Sequence, residues 1–200
     1  QNLIKTLKKE NIPVFIMGNG GNLLVSDKGI RGVVIKLSKN FSSFSISGDE
    51  VTAQSGILLS TLSKSIVNES LSGFEFASGI PGTIGGAVTM NAGAYDSEMK
   101  NIVEEVVAID MDGNIKTFTN QEMNFRYRKS RVTDETLVVL EAKLKLEKGN
   151  IEDIKAKIDD FTVRRTTKQP LTAYSAGSTF KRPEGYFAGK LIEDAGLKGI

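Results

Sequence analysis

The sequence predicts an α+β fold, with strands dominating the middle of the chain and helices punctuating it, and no regular βαβ alternation. Two hairpin signals ask for antiparallel strands. Gly48-Asp49 separates Phe41–Ser47 from Glu50–Gln54, and Met111-Asp112-Gly113-Asn114 separates Val103–Asp110 from Ile115–Phe118. Two apolar stripes ask for helices. Leu58, Leu62, Ile66 and Leu71 recur at roughly helical spacing, so 57–70 reads as amphipathic. Ile151, Ile154, Ile158 and Phe161 mark another helix, ending before Lys168-Gln169-Pro170.

The remaining elements follow in order. Leu3, Ile4 and Leu7 predict a short N-terminal helix, leading into a strand over Ile12–Met17 that breaks at Gly18-Asn19-Gly20-Gly21-Asn22. Gly32–Leu37 is a second extended run. Gly79–Tyr95 is loop-like, with five glycines, one proline and no charge. Thr136–Leu146 alternates late in the run as a strand does. A last helix is expected from Tyr186 to about Ala195, stopped by Gly196. No repeat or low-complexity segment interrupts this order.

Composition narrows the chemistry. The 200 residues are 40% hydrophobic and 25% charged, as in ordinary globular domains. The net charge of +2 gives no nucleic-acid footprint. No apolar run approaches the roughly 20 residues that span a bilayer. Cysteine and histidine are both absent, which removes thiolate nucleophiles, the usual zinc sites and a His-based triad; no metal site is expected. Acid–base work falls to Ser, Tyr, Lys, Arg, Asp, Glu or a cofactor.

Four segments can carry chemistry. Gly18-Asn19-Gly20-Gly21-Asn22-Leu23 follows a strand and matches neither a G-x-G-x-x-G fingerprint nor a Walker loop. It is a backbone nest for a pyrophosphate or a structural turn. The Gly79–Tyr95 stretch is a backbone cradle for a large, flat or phosphorylated ligand, or a tight structural loop. Gly82, Gly85 and Gly86 are the closest approach points, and Asn91 is placed at a ring edge. Together the two loops suit a dinucleotide. Asn124–Arg131 holds four cations and two aromatics. If extended, it puts Arg126, Arg128 and Ser130 on one face and Tyr127 and Lys129 on the other. It is then an anion-binding face or a solvated basic edge. Tyr174–Lys181 offers Ser178 among small residues, either as a proton donor or as part of a polar turn.

In order and spacing, these four segments resemble the UDP-N-acetylenolpyruvoylglucosamine reductase family of peptidoglycan synthesis. Gly79–Tyr95 resembles its flavin loop and Gly18–Leu24 its first phosphate loop. Phe125-Arg126-Tyr127-Arg128-Lys129-Ser130 resembles its Tyr-Arg-x-Ser motif, and Ala176-Gly177-Ser178-Thr179-Phe180-Lys181 its catalytic-serine motif. Gly73-Phe74-Glu75-Phe76 and Arg164–Pro170 agree as flanks. Gly21 stands where the family usually has Ser, and Arg182 where Asn is common.

The resemblance implies a vanillyl-alcohol-oxidase (PCMH)-type FAD-binding fold. Residues 1–38 would form FAD-binding subdomain 1, 39–150 subdomain 2, 151–170 a connecting helix and 171–200 the start of a substrate-binding α+β domain. It implies NADPH as reductant, UDP-N-acetylglucosamine enolpyruvate as substrate and UDP-N-acetylmuramate as product. Ser178 and Arg128 would be catalytic, as proton donor and as cation facing the enolate. Tyr127, Lys168 and Lys181 would bind substrate. Gly18, Asn19, Gly20, Gly21, Asn22, Leu23, Gly79, Ile80, Pro81, Gly82, Thr83, Gly85, Gly86, Ala87, Asn91, Gly93 and Ala94 would bind FAD. A cytoplasmic enzyme is expected, with no nucleic acid, membrane or obligate protein partner. The family's third catalytic group, a C-terminal Glu, has no counterpart, and the chain opens inside a helix without Met, so a fragment lacking both ends is expected. The alternative is a flavin-binding module of the same fold without turnover.

Overall fold

The computed structural model describes residues 1–169 and 179–200, apart from the side chain of Lys168. Helix α1 (Asn2–Lys9) buries Ile4 and Leu7 on one stripe and leads into strand β1 (Val14–Met17). β1 pairs in parallel with β2 (Val33–Lys36), Val14 opposite Val33 and Met17 opposite Lys36. A parallel pair needs a crossover, and residues 18–32 make it without helix or strand. Along the chain follow β3 (Phe44–Ser47), β4 (Glu50–Gln54), α2 (Leu59–Asn68), β5 (Leu71–Ser72), α3 (Ile84–Thr89), β6 (Gly93–Ala94), β7 (Ser97–Glu98), β8 (Val103–Ile109), β9 (Ile115–Thr119), α4 (Arg131–Asp134), β10 (Val138–Lys145), β11 (Glu147–Lys148), α5 (Ile151–Lys168) and α6 (Ala188–Asp194).

Five of these strands form an antiparallel sheet in the order β3-β4-β10-β8-β9. Both expected hairpins are there, and the turn glycines Gly48 and Gly113 take φ of +63° and +81°, which a side chain would resist. Period-two burial puts Val51 and Ala53, Val106 and Ala108, and Ala142 and Leu144 on one face. Leu59, Leu62 and Ile66 of α2 and Ile84 and Val88 of α3 join them in the main core. Each such side chain, fully buried, contributes about 1.5–3 kcal/mol of transfer free energy. A smaller core joins Ile4, Ile109 and Val138 to Ile16, Leu37 and Met111, fastening α1, β1 and β2 to the sheet.

Three sequence expectations change. Gly79–Tyr95 is not loop throughout, because residues 84–89 form α3. The Thr83 hydroxyl accepts from Gly86 N, and Ala87 and Val88 are buried, so cap and packing outweigh the low helix propensity of two glycines. Arg126–Lys129 is not extended. Arg126 and Lys129 exchange backbone hydrogen bonds (2.9 and 3.0 Å), and Arg128 sits at φ +56°, so the segment is a tight turn. Its two arginines therefore part company. Arg126 pairs with Asp134 at 2.7 Å, while Arg128 folds back under Asn91 and Gly93. The last helix also starts two residues later than expected, at Ala188.

Candidate active site

A cleft of about 790 Å³ opens where the β1–β2 unit meets α3 and the sheet, within the roughly 300–1,000 Å³ typical of ligand sites. Its walls include β1, the 18–23 loop, residues 80–83, 85–87 and 92–94, and Leu137–Val139, with Met111, Arg128, Arg165 and Gln169 also in the lining. Both glycine-rich segments thus line one cavity. They also touch each other. A Cβ on Gly21 would lie 2.6 Å from the Pro81 carbonyl oxygen, and one on Gly18 would collide with the Thr83 side chain. Glycine lets the two segments approach this closely, backbone to backbone at Gly21 and backbone to the Thr83 side chain at Gly18.

The first turn of α3 is seated on the end of β4. Gly85 N donates to Ser55 O at 2.8 Å, and Ile84 N to Ile57 O at 3.0 Å. A Cβ on Gly85 would lie 2.6 Å from Ser55 Cβ, so this contact also excludes any side chain. The charged residues of the described lining are Arg128 and Arg165, with no carboxylate among them. Two guanidiniums without a competing acid suit an anionic ligand such as a pyrophosphate or carboxylate.

Of the residues expected to hold a cofactor, Gly18–Leu23, Ile80–Thr83, Gly85–Ala87, Gly93 and Ala94 line the cleft. Gly79 and Asn91 do not. Asn91 is 0% exposed, its Nδ2 donates to Arg126 O (3.2 Å) and its Oδ1 accepts from Lys100 N (2.9 Å). Fully buried and bonded at both ends of its carboxamide, it locks the α3 exit onto the Arg126 turn. The Gly79 carbonyl accepts from Arg165 Nη1. Arg128 is half-buried at the margin, its guanidinium donating to Gly93 O (3.0 Å) and Asn91 O (3.5 Å). Tyr127 stands outside, 51% exposed, and its hydroxyl accepts from Arg182 N at 3.4 Å. Lys181 is exposed beside it in sequence. Ser178 and the Lys168 side chain lie outside the described residues.

Helix α5 grips the glycine-rich wall along one stripe. Lys157, Phe161 and Arg165 are spaced i, i+4, i+8, hence on one face. Lys157 Nζ lies 3.6 Å from the buried Glu75 carboxylate. Phe161 stacks on Tyr95 with ring centres 4.1 Å apart and planes 9° off parallel, and the Tyr95 hydroxyl donates to Phe161 O at 2.9 Å. Arg165 holds Gly79.

Sequence reasoning missed Ser55, Met111 and Arg165. Ser55 follows a strand with no motif around it. Arg165 lies within the Arg164–Pro170 flank, whose helical pattern carries no ligand signal. Among the described residues no group of three or more His, Cys, Asp or Glu can hold a metal, and no helix is long and apolar enough to cross a membrane.

Comparison with known proteins agrees with this geometry. Residues 1–119 match the FAD binding domain family, and residues 169–200 match the C-terminal domain of UDP-N-acetylenolpyruvoylglucosamine reductase. The reductase of that name from Clostridioides difficile (strain 630) is 56% identical over 200 residues, all of this chain and 66% of the relative. That of Syntrophomonas wolfei is 51% identical, over 100% of this chain and 67% of its own. The structure of the Thermus caldophilus reductase superposes with a TM-score of 0.84 at 35% identity, covering 98% of this chain and 71% of that one. A solvent-stable cholesterol oxidase, at 16% identity and TM-score 0.56, shares the fold alone. The expected α+β, PCMH-type FAD-binding fold is borne out. The chain spans about two thirds of the length of these curated relatives. It belongs to the UDP-N-acetylenolpyruvoylglucosamine reductase family and carries that family's FAD binding domain.

Proposed function

We propose that Gly18–Leu23, Ile80–Thr83, Gly85–Ala87, Gly93 and Ala94 hold FAD in the cleft. We further propose that the whole protein uses it in the cytoplasm for NADPH-dependent reduction of UDP-N-acetylglucosamine enolpyruvate to UDP-N-acetylmuramate. The observation that carries the reading is one cavity walled by two touching glycine-rich loops, with arginines as its charged lining. The residues fit the cofactor. Glycine at 18 and 21 clears the backbone for close approach, so that main-chain N–H groups can face a pyrophosphate, and Val14, Ile16, Leu37 and Val139 offer apolar surface to a flat ring system. Bound there, FAD supplies two-electron transfer between a nicotinamide and the alkene of the substrate.

The chain's own side chains take the remaining roles. Reduction of the enolpyruvyl alkene builds negative charge on a carboxylate-conjugated enolate. Arg128 meets it with a guanidinium fixed by the Asn91 and Gly93 carbonyls, so no reorganisation is needed as the charge develops. Two of its five N–H donors are used there, leaving three for substrate oxygen. Ser178 is assigned the proton delivered to the α carbon. Tyr127, with Lys168 and Lys181, is assigned the UDP-sugar; the contact of Tyr127 with Arg182 supports this, because it brings the segment after Ser178 beside the Arg128 turn. The purified chain is expected to take up FAD and show a flavin spectrum. The whole protein is expected to reduce its flavin with one equivalent of NADPH and to turn over further NADPH when the enolpyruvyl substrate is present. A chain that takes up no FAD contradicts the reading.

A further inference from the structure

We infer that the Ser55 hydroxyl hydrogen-bonds the bound cofactor, a role that rests on the FAD reading above. Ser55 directly follows β4, beneath the first turn of α3, and lines the cleft. Its backbone is fully used, with N donating to Leu140 O and O accepting from Gly85 N, both at 2.8 Å. The side chain is not. The residue is 1% exposed, and its Oγ is the buried side-chain polar atom that lacks any hydrogen-bond partner among the described residues.

Such a group is costly, because burial removes its water and returns nothing. Ser130 shows how this same neighbourhood treats a purely structural serine. It too is buried at 0% exposure beside α3, and its Oγ donates to Thr89 O at 2.8 Å. Alanine at 55 would fill the same backbone site without the penalty. A hydroxyl left unsatisfied in the lining of an otherwise largely apolar cleft is what a site retains when the partner arrives with the ligand.

Ser55→Ala separates this role from a structural one, because the two predict opposite signs. We expect the apo variant to melt about 3 °C higher, since the orphan hydroxyl is gone. We expect its FAD dissociation constant, read by flavin fluorescence quenching, to rise about five-fold, the loss of one neutral hydrogen bond. Ser55→Cys, which keeps a weak donor, should fall between wild type and Ser55→Ala in FAD affinity. An unchanged dissociation constant overturns the inference whatever the melting temperature does. A lower apo melting temperature with unchanged affinity shows that an ordered water satisfies the hydroxyl and gives it a structural role. A wild-type chain that takes up no FAD overturns the cofactor reading and this inference with it, whereas uptake by wild type and Ser55→Ala with equal affinity overturns the inference alone.

Discussion

The two glycine-rich segments that face each other across the cleft have similar composition and opposite construction. Residues 79–95 are held from every side. Thr83 caps α3, Gly85 N and Ile84 N bind the β4 end, Asn91 is tied at both ends, Arg165 grips Gly79, and Tyr95 stacks on Phe161. Residues 18–24 carry a single internal backbone bond, Leu23 N to Gly20 O at 3.2 Å, and end on Leu24 at 94% exposure. Glycine content therefore does not say whether a segment is rigid. The residues between the glycines decide it, through what they can cap or bury. The 79–95 wall is built without a ligand, while the 18–24 wall, on the proposed reading, would gain its partners from FAD.

The largest effect should come from the built wall. Gly85→Ala places a Cβ 2.6 Å from Ser55 Cβ and 3.1 Å from Ser55 O. Overpacking outweighs the better helix propensity of Ala, and a loss of about 2 kcal/mol is expected, read as a melting temperature about 4–8 °C lower. Thr83→Ala removes the cap. Its bond to Gly86 N is long at 3.4 Å, so about 0.5–1 kcal/mol and about 2 °C are expected.

Gly21→Ala sharpens the contrast from the other side. The new methyl meets the Pro81 carbonyl, and an exposed loop yields where α3 cannot. The apo melting temperature should stay within about 1 °C, while FAD affinity drops about ten-fold, or about 1.4 kcal/mol. A large fall in apo stability would make the two walls alike.

The smallest effect concerns the β8–β9 turn that carries Met111 to the cleft. The Asp110 carboxylate accepts from Asn114 N and Asp112 N, both at 2.9 Å, and from Asn114 Nδ2 at 3.1 Å. The Asn114 backbone, then its side chain, hold this carboxyl below its ordinary value of 3.8. A depressed folded-state value means stability present above the unfolded value and lost as pH falls through the folded one. The small melting-temperature deficit of Asp110→Asn at pH 7 should therefore shrink below about pH 4. A deficit independent of pH would remove the carboxylate from the account.

Much of the sheet was legible, because burial on one face forces period two and a turn glycine marks each hairpin. Helix α3 was hidden, since its stability comes from Thr83 and from tertiary burial of Ile84 and Val88 rather than from propensity. The turn at Arg126–Lys129 was hidden for a related reason. Arg128 at φ +56° is imposed by backbone bonds between Arg126 and Lys129 that no local pattern announces. The cleft itself was legible as two glycine-rich segments. The burial of Asn91 was not legible, because a buried and a ligand-facing asparagine look identical in sequence. Ser55 and Arg165 reach the cleft through β4 and α5, elements whose own signals concern packing.

Hydrogen exchange on the chain with and without FAD tests the central claim most directly. Amides at Ala87, Met90, Asn91 and Ala92 already donate within the 79–95 wall and should exchange slowly in both states. Amides of Gly18–Asn22 should exchange fast in the apo chain and slow strongly once FAD is bound. Uptake of FAD with no protection at 18–22, or protection confined to residues away from both loops, would contradict the account.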